Sequence, residues 1–185
     1  MVKPVIIAGP SGVGKSYILE LLVNSYSFEK IVGTNTRQPR IGEVNGVDAY
    51  FVNVETYLQL RLNCSFFMDS FFLGNYYGYE RKAVEEIDTK GKTPIAITYT
   101  ATVIDFLRIF PSTKAFFLMP ISMNFLEERM RRRGDAEQVI HQRLANAKKE
   151  IEEFRQIKHL FVQNILVEND DISVVLQTIF NQLEN

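Results

Sequence analysis

Short apolar runs alternate along this chain with longer stretches in which apolar residues recur every three or four positions, as strands do with the helices that cover them. Val5, Ile6 and Ile7 form the first run, and Ile18, Leu19, Leu22 and Val23 mark the helix after it. Lys30 to Thr34 reads as a short second strand. Ala49 to Val52 reads as extended, Val54 to Leu62 as a short helix, and Cys64 to Leu73 (CSFFMDSFFL) as an aromatic strand leading to the turn GNYYG. Between Tyr79 and Thr89, Ala83, Val84 and Ile87 share one helical face. The rhythm then repeats, with Thr93 to Thr98 a strand, Thr102 to Phe110 a helix and Lys114 to Met119 a strand. Ile140, Leu144, Ala147, Ile151 and Phe154 recur at spacings of four and three, which predicts a long amphipathic helix. Its outward charges, Lys148 with Glu152 and Lys149 with Glu153, suit a solvated face. Leu160 to Val167, then NDD, and a helix carrying Ile172, Leu176, Ile179 and Leu183 close the chain. Alternation of this kind predicts an α/β fold with a parallel central sheet.

Between the first strand and the first helix lies GPSGVGKS, which fits G-x-x-x-x-G-K-[ST] at Gly9, Gly14, Lys15 and Ser16. Glycines reach dihedrals closed to other residues, so backbone N–H groups can crowd around phosphate oxygens. Lys15 is placed to reach β- and γ-phosphates and the Ser16 hydroxyl to ligate Mg²⁺, while the helix that starts here points its positive end at the anion. The strand before and the helix after supply the context that separates this loop from a chance glycine-rich turn.

Length and charge narrow the reading further. The 185 residues suit one domain, with no internal repeat or low-complexity linker. A net charge of -1 gives no case for nonspecific nucleic-acid or anionic-membrane binding, so function rests on local sites. One cysteine, Cys64, excludes an internal disulfide framework and a multi-cysteine metal site, and His141 and His159 are too few for a histidine cluster. No apolar run approaches the roughly 18 residues of a membrane span, and the expectation is a cytosolic, cytoplasmic protein.

Five landmarks in order, GPSGVGKS, TRQPRIGEVNGVD (Thr36 to Asp48), GNYYG (Gly74 to Gly78), LEERMRRRG (Leu126 to Gly134) and VENDD (Val167 to Asp171), resemble guanylate kinase, a P-loop nucleoside-monophosphate kinase, over nearly the whole chain. The resemblance implies a three-layer P-loop NTPase fold with an inserted acceptor-binding subdomain at about 33–89 and a mobile helical lid at about 122–150. The core would be about 1–32, 90–121 and 151–185. It implies an ATP site at Ser11, Gly12, Val13, Gly14, Lys15 and Ser16, with Asn169 near the adenine and Mg²⁺ at Ser16. Arg37 and Arg40 would hold the acceptor phosphate, Tyr77 would add a hydroxyl donor, and Arg133 and Arg143 would be the lid arginines. The implied partners are ATP and a phosphate-bearing small-molecule acceptor.

The arginines make the same sense by their chemistry. Phosphoryl transfer asks a protein mainly to align two polyanions and spread the charge of the transferring group, which planar guanidinium forks do better than lysine. Arg37 and Arg40 flank Pro39, whose ring restricts its own φ and the conformation of Gln38, so both are aimed from a stiff loop. Arg129, Arg131, Arg132 and Arg133 also suit a solvated basic helix end; Arg133 stands out because it precedes Gly134.

Against that pattern the acceptor end departs. The family's guanine-reading carboxylate, six residues before the GNYYG glycine, is Met68 here, and a thioether is a very weak acceptor. Asp69 is adjacent, but on a strand it faces the other way unless a bulge shifts the register. The serine before the TTR-like triplet is Gly33, the residue after GNYYG is Tyr79, and the tyrosine expected at the acceptor phosphate is Ala49, with Tyr50 beside it. The family's D-I-D strand end reads AITYTAT (Ala96 to Thr102), without either acid. One charged hydrogen bond contributes about 1.5 to 3 kcal/mol, so losing the carboxylate at position 68 weakens guanine reading on the order of ten- to a hundredfold. Phe66, Phe67, Phe71, Phe72, Tyr76, Tyr77 and Tyr79 form either a surface that stacks a base or an ordinary aromatic core. Three functions fit: a kinase for GMP or dGMP read differently or for a modified or pyrimidine nucleotide or a sugar phosphate; a non-catalytic guanylate kinase-like binding module; or an ATP-dependent switch.

Overall fold

The structure, a computed structural model, describes residues 2–25, 28–168 and 171–184. Five parallel strands form the central sheet: β1 (Val5–Ala8), β2 (Phe28–Lys30), β7 (Thr93–Thr98), β8 (Lys114–Pro120) and β9 (Gln163–Val167), in the order β2-β7-β1-β8-β9. Because successive strand side chains point to opposite faces, Val5 and Ile7 enter one apolar layer and Ile6 and Ala8 the other. Phe116 and Leu118 of β8 likewise oppose Ala115 and Phe117. A sheet buried on both faces explains why these strands read as continuous apolar runs rather than alternating ones.

Helices complete the three layers. The first face packs against α1 (Lys15–Ser25), α5 (Met123–Arg132), the early part of α6 (Glu137–Ile157) and α7 (Ser173–Glu184), through Ile18, Leu22, Leu126, Met130, Ile140 and Ile179. The second packs against α3 (Arg81–Thr89), α4 (Val103–Ile109) and Phe154 near the end of α6. The long helix expected from the Ile140-to-Phe154 spacing thus crosses from one layer to the other. Ser122 opens α5 as its N-cap, accepting from the Phe125 N–H at 3.1 Å. Among the described residues no helix is long and apolar enough to cross a membrane.

A second, mixed sheet projects beside the first, in the order β4-β3-β6-β5: β4 (Tyr50–Phe51), β3 (Thr34–Asn35), β6 (Asn75–Glu80) and β5 (Phe66–Phe72). Helix α2 (Val54–Leu62) joins β4 to β5, started by the Asn53 side chain accepting from Thr56 N–H at 2.7 Å.

Three boundaries differ from the sequence expectation. The stretch Lys30 to Thr34 is not one strand: the Ile31 N–H still donates to the Ile95 carbonyl in the central sheet, whereas the Gly33 carbonyl already accepts from the Tyr50 N–H in the second. GNYYG is mostly strand β6 rather than turn, because two tyrosines favour extended backbone and the reversal needs only Leu73 and Gly74, both at positive φ (49° and 78°). Tyr79 accordingly lies on β6, and the helix starts at Arg81. Gly78 fits mid-strand because a methyl group there would stand 2.6 Å from the Tyr57 hydroxyl.

Candidate active site

The loop between β1 and α1 faces a cleft of about 1350 Å³ that continues to the second sheet. Gly9 and Gly14 hold φ of 140° and 113°, a region that disfavours side chains, and a Cβ on Gly9 would meet the Leu118 carbonyl oxygen at 2.6 Å. The loop therefore has to be glycine at Gly9 to lie flat on β8. Ser11, Gly12, Gly14, Lys15 and Ser16 line the cleft; Val13 is fully buried and anchors the loop in the core. Lys15 Nζ donates to the Gly9 carbonyl and, at 3.0 Å, to the Pro10 carbonyl, so its ammonium lies folded over the loop. Burial holds it below its ordinary pKa, with Arg40 and Arg133 adding to the effect and Glu150 opposing it. Ser16 is exposed at the first turn of α1.

Arginines converge from two other elements. Arg37, two residues past β3, makes a fork with Glu43: each of its terminal nitrogens lies 2.6 Å from one carboxylate oxygen, and its guanidinium sits 5.2 Å above the Phe51 ring. The Glu43 hydrogen bond holds Arg37 above its usual pKa. Glu43 also accepts from the Arg40 N–H at 2.6 Å, so one carboxylate shapes the whole turn. Arg40 points into the cleft with its pKa lowered, first by partial burial and then by Arg37, with smaller contributions from Arg133 and Arg143. From the end of α5 and from α6, Arg133 and Arg143 both bond Asp135, Arg133 through two nitrogens at 3.2 and 2.5 Å. Burial works to raise the Asp135 carboxyl, but the two guanidiniums outweigh it and keep it below the usual range. Lys15 and Arg40 are thus each held below their ordinary pKa, first by burial and then in part by neighbouring cations, a condition that a bound polyanion relieves.

Several of the sequence candidates fall into place and some do not. Tyr77 lines the cleft on β6, edge-on to Tyr99 at 5.5 Å. Burial, then Tyr77, pushes the Tyr99 hydroxyl above its ordinary range. Met68 and Tyr79 face each other across β5 and β6 and both line the cleft. A register shift does occur in β5, but between Phe66 and Met68, so Met68 keeps the cleft face. Asp69 takes the other face, accepting from the Tyr57 hydroxyl at 2.8 Å and pairing with Arg61 at 2.6 Å. Its carboxylate is committed there and does not replace the missing acid. Tyr50 is 48% exposed beside Gly46, whereas Ala49 lines the cleft. Asn169 lies outside the described residues.

The aromatic set divides as well. Phe66 and Tyr76 stack on Tyr57 at 4.8 and 5.2 Å, and Phe67 packs edge-on to Phe106 and Phe110. Those are core contacts. Phe71 is 62% exposed, and Phe72, Tyr77 and Tyr79 remain to line the cleft.

Four residues beyond the sequence candidates come to the site: Arg129, which the sequence alone places on a solvated basic helix end, and Glu43, Asp135 and Glu150. Arg129 reaches the Val13 carbonyl at 3.4 Å and covers Gly14. Its signal was the spacing Leu126, Arg129, Met130, Arg133, which puts both arginines on the flank of a buried stripe. Glu43, Asp135 and Glu150 carried no local signal, since each acts on a partner set by the fold.

Among the described residues no group of three or more His, Cys, Asp or Glu side chains could hold a metal ion by itself. The donor set fits a cation delivered by the nucleotide: an exposed Ser16 hydroxyl at the helix start, next to amides and a lysine suited to phosphate.

Comparison with known proteins agrees with this arrangement. The family model described as guanylate kinase matches residues 1–185. A guanylate kinase of Nostoc sp. is 36% identical over 179 residues, 96% of this chain and 87% of that protein. One of Escherichia coli is 31% identical over 175 residues, 92% of this chain and 82% of that protein. The crystal structure of guanylate kinase from Anaplasma phagocytophilum superposes with a TM-score of 0.75 at 27% identity, covering 99% of this chain and 85% of that one. A glycine-rich loop on β1, a basic cleft and these likenesses together place the chain in the guanylate kinase family of ATP-dependent, Mg²⁺-using P-loop kinases.

Proposed function

We propose that the protein transfers the γ-phosphoryl group of Mg-ATP to a nucleoside monophosphate whose base is read otherwise than through the family's carboxylate. The observation that carries this is the convergence of Lys15, Arg37, Arg40, Arg133 and Arg143 on one cleft, with the P-loop at one end and Met68 and Tyr79 at the other. The residues 33–89 are the acceptor-binding unit and 122–150 the lid.

Each group has a task in the transfer. The amides from Gly12 to Ser16 and the Lys15 ammonium hold the triphosphate once Lys15 exchanges the Gly9 and Pro10 carbonyls for phosphate oxygens. Mg²⁺, when bound with ATP at the Ser16 hydroxyl, offsets charge on the β- and γ-phosphates. Arg37 and Arg40 fix the acceptor phosphate, with the Tyr77 hydroxyl beside them, so that one of its oxygens faces the γ-phosphorus in line with the bond to be broken. That oxygen forms the new P–O bond, the bond to the β–γ bridging oxygen breaks, and ADP and a diphosphate leave. Arg133 and Arg143 approach from the lid to spread the negative charge of the transferring group.

Met68 and Tyr79 favour a second acceptor reading, in which GMP is displaced by a modified or pyrimidine nucleotide or by a sugar phosphate. Tyr79 gives its hydroxyl to the Ile97 carbonyl at 3.0 Å and offers the cleft mainly its ring. A coupled ADP-release assay with GMP, dGMP, the other nucleoside monophosphates and sugar phosphates tests both readings. Turnover with at least one acceptor, abolished by Lys15→Ala, is the expected result; no turnover with any acceptor contradicts the proposal.

A further inference from the structure

Asn35 on β3, Tyr77 and Tyr79 on β6 and Met68 on β5 line the cleft, and strand pairing sets them in rows across the second sheet. Asn35 on β3 is opposite Tyr77 on β6, and Tyr77 is opposite Ser70 on β5. Arg37, which grips the acceptor phosphate in the function proposed above, follows Asn35 by two positions and lines the same cleft. Two residues of extended chain span at most about 6 to 7 Å, the scale of the sugar that separates a nucleotide's phosphate from its base.

Asn35 is only 6% exposed, and its carboxamide oxygen is buried without a hydrogen-bond partner. Buried polar atoms are almost always paired, so an orphan beside a ligand cleft marks a place where the ligand completes the bond. Of the neighbouring candidates, Tyr79 is committed to the Ile97 carbonyl, Asp69 to Tyr57 and Arg61 on the far face, and Thr98 to Thr102 at 2.5 Å, while the unpartnered Ser70 hydroxyl lines a separate, smaller cavity. Met68 offers a thioether, a poor partner for any base edge. Asn35 therefore stands where a base would arrive, one sugar's length inward of the phosphate clamp, with an acceptor oxygen still to be satisfied.

We propose that Asn35 is the specificity-determining residue of the acceptor site, its carboxamide oxygen accepting an N–H of the nucleotide base. The assignment rests on reading this cleft as the acceptor site, and its test separates the two. Calorimetric titration without ATP compares GMP, AMP, CMP and UMP with ribose 5-phosphate, which has the phosphate and sugar but no base.

Asn35→Ala is expected to weaken the preferred monophosphate on the order of tenfold while ribose 5-phosphate and Mg-ATP change less than about twofold. Asn35→Asp retains an acceptor oxygen and is expected to keep the preference for that monophosphate over ribose 5-phosphate, which holds the test open where the alanine variant folds poorly. Equal weakening of the monophosphate and ribose 5-phosphate by Asn35→Ala, no change in either, or loss of the preference in Asn35→Asp overturns the assignment alone. Failure of the wild-type protein to bind any of the five ligands overturns the reading of the cleft and the assignment with it.

Discussion

The ring of Tyr79 occupies the space that a side chain at Gly33 would fill: a methyl group there would lie 2.8 Å from Tyr79 Cε1 and 3.1 Å from the Gly78 carbonyl oxygen. The two departures from the family pattern are therefore one change, a large residue on β6 accommodated by the smallest one before β3. Gly33→Ser alone is expected to destabilise the fold by about 1 to 3 kcal/mol through overpacking. Tyr79→Ser alone leaves a cavity and an unpaired Ile97 carbonyl. The double variant should be less destabilised than the sum of the two, with a coupling of roughly 0.5 to 3 kcal/mol in a denaturation cycle; strict additivity would separate the two positions.

Met68 is 1% exposed, packed in the layer with Ile31, Val84 and Phe106 while also lining the cleft. Met68→Glu buries a carboxylate that only a guanine-like pair of donors can satisfy. The variant should melt lower than the wild type when free, regain stability with GMP more than with UMP, and use GMP on the order of tenfold better relative to UMP. An unchanged selectivity profile would dispose of Met68 as a determinant of guanine selectivity.

Glu43 ties Arg37 and the Arg40 backbone together through one carboxylate. Its loss should free both arginines from the geometry proposed to hold the acceptor phosphate. Glu43→Ala is expected to raise the acceptor KM on the order of tenfold and to leave the Mg-ATP affinity within about twofold. Steady-state kinetics with a separate nucleotide titration checks this, and equal effects on both substrates would refute it.

Much of this architecture was readable in the chain because it is written locally. The spacing of Ile140, Leu144, Ala147 and Phe154 marks α6, and Val5 to Ser16 carries strand, loop and helix start in sequence order. Residues whose role depends on pairing in space were less legible. Whether Lys30 and Thr34 share a strand depends on Ile95 and Tyr50, which no local window contains. Tyr76 and Tyr77 suit either a turn or a strand until Ser70 and Phe71 are seen opposite them. The orphaned oxygen of Asn35 exists only once the second sheet is closed around it.

Glu150, on α6, is 4% exposed with one carboxylate oxygen unpartnered. Burial pushes its pKa up to about 7 from an ordinary 4.5, although the Lys15 ammonium and the Thr100 N–H act in the opposite direction. Between these two values the folded chain keeps a proton that the unfolded chain has released, so stability falls as pH rises from 4.5 to about 7. The gap corresponds to roughly 3 kcal/mol, fully felt above the higher value. Glu150→Gln removes that penalty and should melt several degrees higher than the wild type at pH 8, with the difference closing near pH 4.5. Parallel melting curves for both proteins across that range would contradict the assignment.

In the proposed function two sets of cations hold two anions in one cleft, and Arg40→Ala separates the sets most directly. Steady-state ADP release with each nucleoside monophosphate, run beside a Mg-ATP titration, should show the wild type turning over at least one acceptor. Arg40→Ala should lose about a hundredfold or more in kcat/KM for that acceptor while its Mg-ATP affinity stays nearly unchanged. No turnover by the wild type, or equal loss of both properties in the variant, would contradict it.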